Sequence, residues 1–484
     1  MEETFYLFNV SQCCAYFTQH IPLALSSVGP IAREWGECRE RGLLGCTLRP
    51  TGTGEGRTLR IEDFKSALHL EYLKWWLTRS PLLHLEVTVL LEGGDADLPG
   101  TVGLTEDFLR FLSGEKLSYL FSLRMLHVRS LAPFVGLLPF AEEVFIESSE
   151  DLSSIAELEK SPRLRRMSAV ECGFSHVDQL ESCSKLEFVT LSGCKAMISL
   201  RNLASLQHLT AVDASDTSLT NVDCFRSCLL LKSVRLNHCR KLASLEGLQG
   251  LTNLKEIQVS NTRIPSVECL RRCAKLEFIN VSGCKELISL RTLSELGNIQ
   301  TVDASFTNIS DITCFKNCHS LEVLDVTECE DVTCFDALAG LRSLKKVSAG
   351  RSGITNVSNL GSCVGLEFVS VCGCWGLSSL DLVAALPRLK EVNLSYTHIA
   401  NIDCLAWCAM LESVNVEGCK SLLSLDALIR LEKLETIYAS GTGITSVDSL
   451  VHCPALRYIE VTNCPQLYSV DTLMANHTID VVFS

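Results

Sequence analysis

Leu186-Glu-Phe-Val-Thr-Leu-Ser-Gly-Cys194 decides the reading of this chain, because its last residue returns as Cys239, Cys284, Cys329, Cys374, Cys419 and Cys464. Every step is 45 residues, and Cys183, Cys228, Cys273, Cys318, Cys363, Cys408 and Cys453 keep the same step. A loop-rich globular domain cannot hold such a register, whereas a linear array of stacked units can. Each period holds two similar halves, of 23 and 22 residues. The first runs Leu186, Val189, Leu191, Cys194, Met197, Leu200, Leu203, Leu206, and the second Leu209, Val212, Ala214, Thr217, Leu219, Val222, Phe225, Cys228. The opening L-x-x-L-x-L alternates in steps of two, the pattern of a short strand with one face buried. Apolar residues then fall at every third position, which suits a 3₁₀ or short helical return.

Neither half can bury a core alone, so each coil must stack on its neighbours. These halves resemble leucine-rich repeats of the short class, as in the phosphatase-1 regulatory subunit of that class and in the bacterial internalins. The resemblance implies an α/β solenoid: a parallel concave sheet, a convex side of 3₁₀ or short helical turns, and a helical N-terminal cap. It implies little about activity, since such repeats hold proteins together by their surfaces and share no active site.

The chain has 484 residues, 47% of them hydrophobic, with 57 acidic and 43 basic residues and a formal net charge of −14. Phosphate binding needs a concentrated basic surface, and no basic run occurs, so nucleic acid is not expected as a partner. Met1-Glu-Glu-Thr lacks the basic start of a secretory signal. No apolar run reaches the ~18 residues that span a bilayer, so a soluble chain without membrane contact is expected. Equivalent cysteines lie two coils apart, roughly 10 Å at the strand spacing, beyond the ~7 Å that a disulfide allows. They read as small buried thiols in a reducing, cytoplasmic compartment. Cys224, Cys269, Cys314 and Cys404 make C-x-x-x-C pairs, but no histidine pattern accompanies them, so no zinc or other metal or cofactor is expected.

Three segments follow from this reading: residues 1–81 as a helical cap, 82–122 as a transition with an imperfect first coil, and 123–484 as the solenoid of about seventeen strands. Phe5 to Phe17 and Glu62 to Arg79 read as helices, with Pro50 to Gly56 a flexible loop between them. His20 to Trp35 resembles the latter half of an F-box, with Ile21, Pro22, Leu23 and Trp35 at or beside its anchors. It departs from that pattern in lacking the Leu-Pro-x-Glu opening and in Pro30, which interrupts the last helix. The resemblance implies that these residues bind a ubiquitin-ligase linker protein; the alternative is a plain cap on the apolar end of the array.

Residues alternating with the buried ones should form the concave face. Phe188, Asp213, Arg235, Glu256, Phe278, Asp303, Asp325, Phe368 and Tyr458 stand out there as partner-binding candidates. Phe188, Phe278, Phe368 and Tyr458 recur every 90 residues, as exposed anchors or as relics of a duplicated unit. No nucleophile with a base and no paired acids emerge, so an enzyme is not expected. Protein recognition is, whether in a scaffold of a cytoskeletal or flagellar assembly, in an F-box-like ligase adaptor or in a phosphatase regulatory subunit. At the C-terminal edge, Val482 and Phe483 should lie on an open strand and associate with a partner or a second copy.

Overall fold

The computed structural model describes residues 5–6, 46–50, 57–61, 74, 83–92, 98–117, 119–380 and 386–484. The chain forms two compact units, Met1–Ser218 and Leu219–Ser484, and each is taken by itself.

Unit 2 is the more regular. Its strands are Ser233–Arg235, Glu256–Gln258, Phe278–Asn280, Thr301–Asp303, Val323–Asp325, Lys346–Ser348, Phe368–Ser370, Glu391–Asn393, Ser413–Asn415, Thr436–Tyr438, Tyr458–Glu460 and Asp480–Val482. Each pairs in parallel with the next and in the same register, so Phe278 sits beside Thr301, Thr301 beside Val323, and onward to Tyr458 beside Asp480. The strands are short because a left-handed residue ends nearly every one. Gly283, Gly373, Gly418 and Gly441 take that conformation, and so do Phe306 and Tyr396, each with φ 57°. The chain then turns and returns through 3₁₀ segments such as Glu268–Arg272 and Thr313–Asn317. Within one coil Leu276, Ile279, Val281, Cys284, Leu287, Leu290 and Leu293 are all buried, and Phe225, Phe315 and Phe335 are the bulkiest core side chains of the unit. Parallel strands need crossover connections, and here each crossover is one 22- or 23-residue coil.

Unit 1 repeats the plan with longer strands in its first four coils: Leu83–Glu92, Tyr119–Leu126, Glu143–Glu147, Arg166–Val170, Phe188–Thr190 and Ala211–Asp213, all parallel. Seventeen strands therefore lie from Tyr119 onward among the described residues, in agreement with the sequence reading. A helix at Leu98–Gly114, called α1 below, is an addition to it. Val102, Thr105, Phe108, Leu109 and Leu112 are buried along it, an i, i+3, i+4, i+7 stripe. Pro99 and Gly100 at its start read as turn residues, which concealed it.

Before residue 82 the described residues are mainly strand where helix was expected. Cys46–Pro50 pairs antiparallel with Arg57–Ile61, which in turn pairs parallel with Leu83–Glu92. Phe5–Tyr6 is a further strand against Cys46–Pro50, not the start of a helix. Thr47 to Arg49 and Thr58 to Arg60 alternate polar and apolar residues, the two-residue period of a strand. Ile21, Pro22, Leu23 and Trp35 lie outside the described residues, as does most of Glu62 to Arg79.

Candidate interaction surfaces

The pairing of unit 2 lays its solvent-facing side chains out in rows. One row runs Ser233, Glu256, Phe278, Thr301, Val323, Lys346, Phe368 and onward to Tyr458; a second runs Arg235, Gln258, Asn280, Asp303, Asp325, Ser348 and onward to Glu460. Most of these residues are half-buried between fully buried neighbours along each strand. Arg235, Glu256, Phe278, Asp303, Asp325, Phe368 and Tyr458 lie in these rows, where Ser348 is buried.

Their chemistry differs from what their types suggest. Asp303 and Asp325 are structural acceptors: Asp303 Oδ1 accepts the Ser305 amide at 3.1 Å, and Asp325 Oδ1 accepts the Thr327 amide at 2.9 Å. Asn280, Asn393 and Asn415 accept an amide two residues on in the same way. Asp213 does so in unit 1, taking the Ser215 amide at 3.0 Å. A short polar side chain here satisfies the backbone where the strand turns away. Arg235 is tied to Glu256, with Nε donating at 3.0 Å. Burial pushes the Glu256 carboxyl up, but hydrogen bonds from Arg235, Gln258 and Ser233 outweigh it and hold the group below the usual carboxylate range.

The aromatics at 90-residue spacing are half-buried, and two of the four lie beneath cations. In unit 2 the Lys346 ammonium sits 4.8 Å from the Phe368 ring centre. In unit 1 the Arg166 guanidinium lies 4.8 Å from that of Phe188, while Arg166 also donates to Glu143 at 3.0 Å. The same lidding recurs in unit 1, Arg124 over Phe145 and Arg163 over Tyr119, both at 4.6 Å. Each lid satisfies a cation and an aromatic face together.

The two flanks of the unit 2 sheet differ. On the side where the chain enters each strand, Lys255 pairs with Glu277, Lys345 with Glu322 and Lys390 with Glu367, all at 2.7–2.8 Å. The Lys390 hydrogen bond and charge hold Glu367 below the usual carboxylate range, and Glu367 raises Lys390 in return. On the side where the chain leaves, aromatics stand beside one ion pair, Arg351 with Glu328 at 3.0 Å. Phe306 and Tyr396 are close to half exposed, and Trp375, more exposed still, packs against His398 with ring centres 5.9 Å apart. Bulky residues with positive φ are uncommon, and the conformation costs an L-residue roughly 1–2 kcal/mol. Glycine bears no such cost in neighbouring coils, so Phe306 and Tyr396 keep strain that burial does not repay.

The cysteines form a ladder inside the core. Cys183, Cys194, Cys273, Cys284, Cys318, Cys329, Cys363, Cys374, Cys419, Cys453 and Cys464 each point the thiol at the carbonyl 25 residues earlier, one coil back. In unit 2 threonines fill the alternate coils: the Thr262 hydroxyl donates to the Val259 carbonyl at 2.8 Å and lies 3.2 Å from the Cys284 sulfur. Burial pushes most of these thiols upward, Cys273 to about 11, and it raises Cys314 beside the ladder to about 12. Cys172 departs from the two-coil spacing. It lies one coil before Cys194, and the hydrogen bond between their sulfurs, helped by burial, raises the Cys172 thiol. None of the described cysteines from Cys172 to Cys464 is in a disulfide. Among the described residues no group of three or more His, Cys, Asp or Glu is placed to hold a metal ion, and no helix is long and apolar enough to cross a membrane.

At the far edge of unit 2, Asp480–Val482 is the last paired strand, after a short helix at Asp471–Met474. Ile479 is buried, whereas Val482 and Phe483 are exposed.

No family model and no curated protein matches the sequence. Solved structures do match the fold. An internalin of Listeria monocytogenes aligns at 16% identity over 76% of this chain and 95% of its own, with a TM-score of 0.54. A leucine-rich repeat protein of Leptospira interrogans aligns at 15% identity over 73% of this chain and 99% of its own, with a TM-score of 0.60. TLR13, from a TLR13–ssRNA13 complex, aligns at 16% identity over 75% of this chain and 62% of its own, with a TM-score of 0.53. At such identities the likeness speaks for fold alone. The regular coils, parallel sheets and 3₁₀ returns agree with it: this protein has the fold of a leucine-rich repeat solenoid.

Proposed function

We propose that this protein is a non-catalytic recognition module that binds a protein partner on the sheet face of unit 2, as a scaffold or structural subunit of an intracellular assembly. The observation that supports this most is the sheet face itself. Its backbone is already satisfied by the ladder and by the Asp and Asn side chains, so its outward groups are available to a partner. Small residues at Asn280, Ser348, Ser370 and Asn393 leave a shallow band in which another chain can lie, while Phe278, Phe368 and Tyr458 offer apolar anchors. Free buried thiols suit a reducing compartment.

The test is quantitative co-purification with two variants of equal charge change. Ser348→Arg with Ser370→Arg fills the band, and Thr252→Arg with Ser266→Arg places the same charges on exposed positions outside the strands. The expected result is loss of the same set of partners from the first variant only. Equal retention by both, with both folded, would remove the sheet face as the binding surface.

A further inference from the structure

The lidded aromatics make the last coils of unit 2 anomalous. Tyr396, Tyr438 and Tyr458 are grouped there with carboxylates in place of cations. The Tyr438 and Tyr458 rings approach to 5.5 Å between centres, tilted by 52°. Glu460 lies beside both: it is the strand partner of Tyr438, and its Oε2 accepts the Tyr458 hydroxyl at 3.3 Å. Ser440 Oγ donates to its other oxygen at 3.1 Å, which fixes the carboxylate in place. Two coils back, the Tyr396 hydroxyl donates to Glu417, and its ring lies across Gly418, where a Cβ would meet it at 2.5 Å. The ion pairs of unit 2 among the described residues fall elsewhere and leave Glu417 and Glu460 without a cation. The hydrogen bond to Glu417, with burial, raises the Tyr396 hydroxyl, and burial, then Glu460, Tyr438 and Asp480, raises that of Tyr458.

Elsewhere this chain supplies its own cation to an outward aromatic, as Lys346 does for Phe368 and Lys285 for Phe306. We infer that the cation for the tyrosine cluster comes from the partner, and that Tyr438, Tyr458 and Glu460 form a subsite for an arginine side chain in a basic, extended segment of a protein. A guanidinium is flat enough to lie on a tyrosine face while its edge pairs with the Glu460 carboxylate, which a lysine ammonium cannot do in two directions at once. Tyr396, held by Gly418 and Glu417, extends the same acidic and aromatic surface toward the flank. The strain kept at its backbone fits a residue retained for contact and not for packing. Phe278 carries no lid of its own chain either, but its neighbour Glu256 is already neutralised by Arg235.

This inference rests on the sheet face being the binding surface, and its test separates the two. The probes are fluorescein-labelled peptides of four Gly-Arg repeats, with Gly-Lys and Gly-citrulline peptides of the same length, titrated by anisotropy at 0.15 M salt. The arginine peptide should bind at least about fivefold tighter than the lysine peptide and far tighter than the citrulline one. Glu460→Gln with Tyr438→Ala should weaken it about tenfold or more and abolish the preference for arginine. Glu435→Gln, an equal charge change off the face, should leave both affinities within twofold. Equal binding of arginine and lysine peptides, or equal loss from Glu435→Gln, overturns the arginine subsite. If that happens while Ser348→Arg with Ser370→Arg still sheds the native partner, the sheet-face reading stands and only the subsite falls.

Discussion

Raising the pH should unravel this protein at a point fixed by its thiols. Burial lifts Cys228, Cys273, Cys318 and Cys453 to about 11, and Cys224, Cys269 and Cys314 to about 12, from an ordinary 9.0. In each C-x-x-x-C pair of that second group the neighbouring thiol adds to the burial effect. All seven lie in unit 2. Below about pH 8 both folded and unfolded chains keep these protons, so the thiols leave stability independent of pH. Above it the unfolded chain releases protons that the folded core retains, so stability falls as pH rises through 9 toward 11. Each thiol contributes about 1.36 kcal/mol per pH unit once its unfolded form is ionised. At pH 10 seven of them give a slope of about 8 kcal/mol per pH unit, and roughly 10 kcal/mol has been lost since neutrality. That matches the whole stability of a typical domain, about 5–15 kcal/mol. Urea denaturation followed by far-UV circular dichroism, under reductant at pH 7.5, 8.5 and 9.5, should show a midpoint that collapses over the last step. Replacing Cys224, Cys269 and Cys314 together by Ala should flatten the slope by about 3–4 kcal/mol per pH unit. A midpoint unchanged between pH 7.5 and 9.5, or an equal slope in the triple variant, would refute the thiol account.

Three further outcomes are expected. Tyr396→Gly should leave stability within about 1 kcal/mol of the parent or raise it, because relief of the left-handed strain offsets the entropy of glycine; a larger loss in a urea melt would mean that the ring is structural. Phe315→Ala should cost about 3–5 kcal/mol, whereas Phe315→Leu should cost only about 1 kcal/mol. The equivalent positions 45 residues to either side are Leu270 and Leu360, both buried, and similar losses for the two variants would contradict the equivalence of the coils. Thr262→Val should cost about 1 kcal/mol, at the low end for a buried hydroxyl because Cys284 still donates to the Val259 carbonyl at 3.2 Å.

The sequence was most legible where periodicity and structure share a cause. A 45-residue step in cysteine is a step in backbone position, so it placed every strand from Phe188 onward and told buried from outward residues. Types at single positions were less legible. Asp303 and Asp325 read as partner-binding candidates, yet each serves the turn after its own strand, a role shared with Asn280 one coil before Asp303 and with Asn393 further along. That interchange of Asp and Asn at one repeat position is the signal that could have shown it. The lids over Phe188 and Phe368 depend on the residue one coil earlier, Arg166 and Lys346, and are visible only once strands are paired. The tyrosine cluster was half-seen for the same reason: Tyr458 belongs to the 90-residue series and Glu460 follows two residues on in its own strand, but Tyr438 joins them only across the sheet. Helix α1 escaped because its amphipathic stripe begins after Pro99 and Gly100, where a turn was the simpler reading.

The most direct measurement is a photo-crosslinking pair in the full chain. A benzophenone amino acid at Ser370 faces out from the sheet, and one at Lys316 is exposed on the 3₁₀ side, in the segment Thr313–Asn317. Irradiation of the assembled protein, followed by mass spectrometry, should give one dominant protein adduct from Ser370 and none of that species from Lys316. The same adduct from both positions, or from Lys316 alone, would contradict recognition through the sheet face.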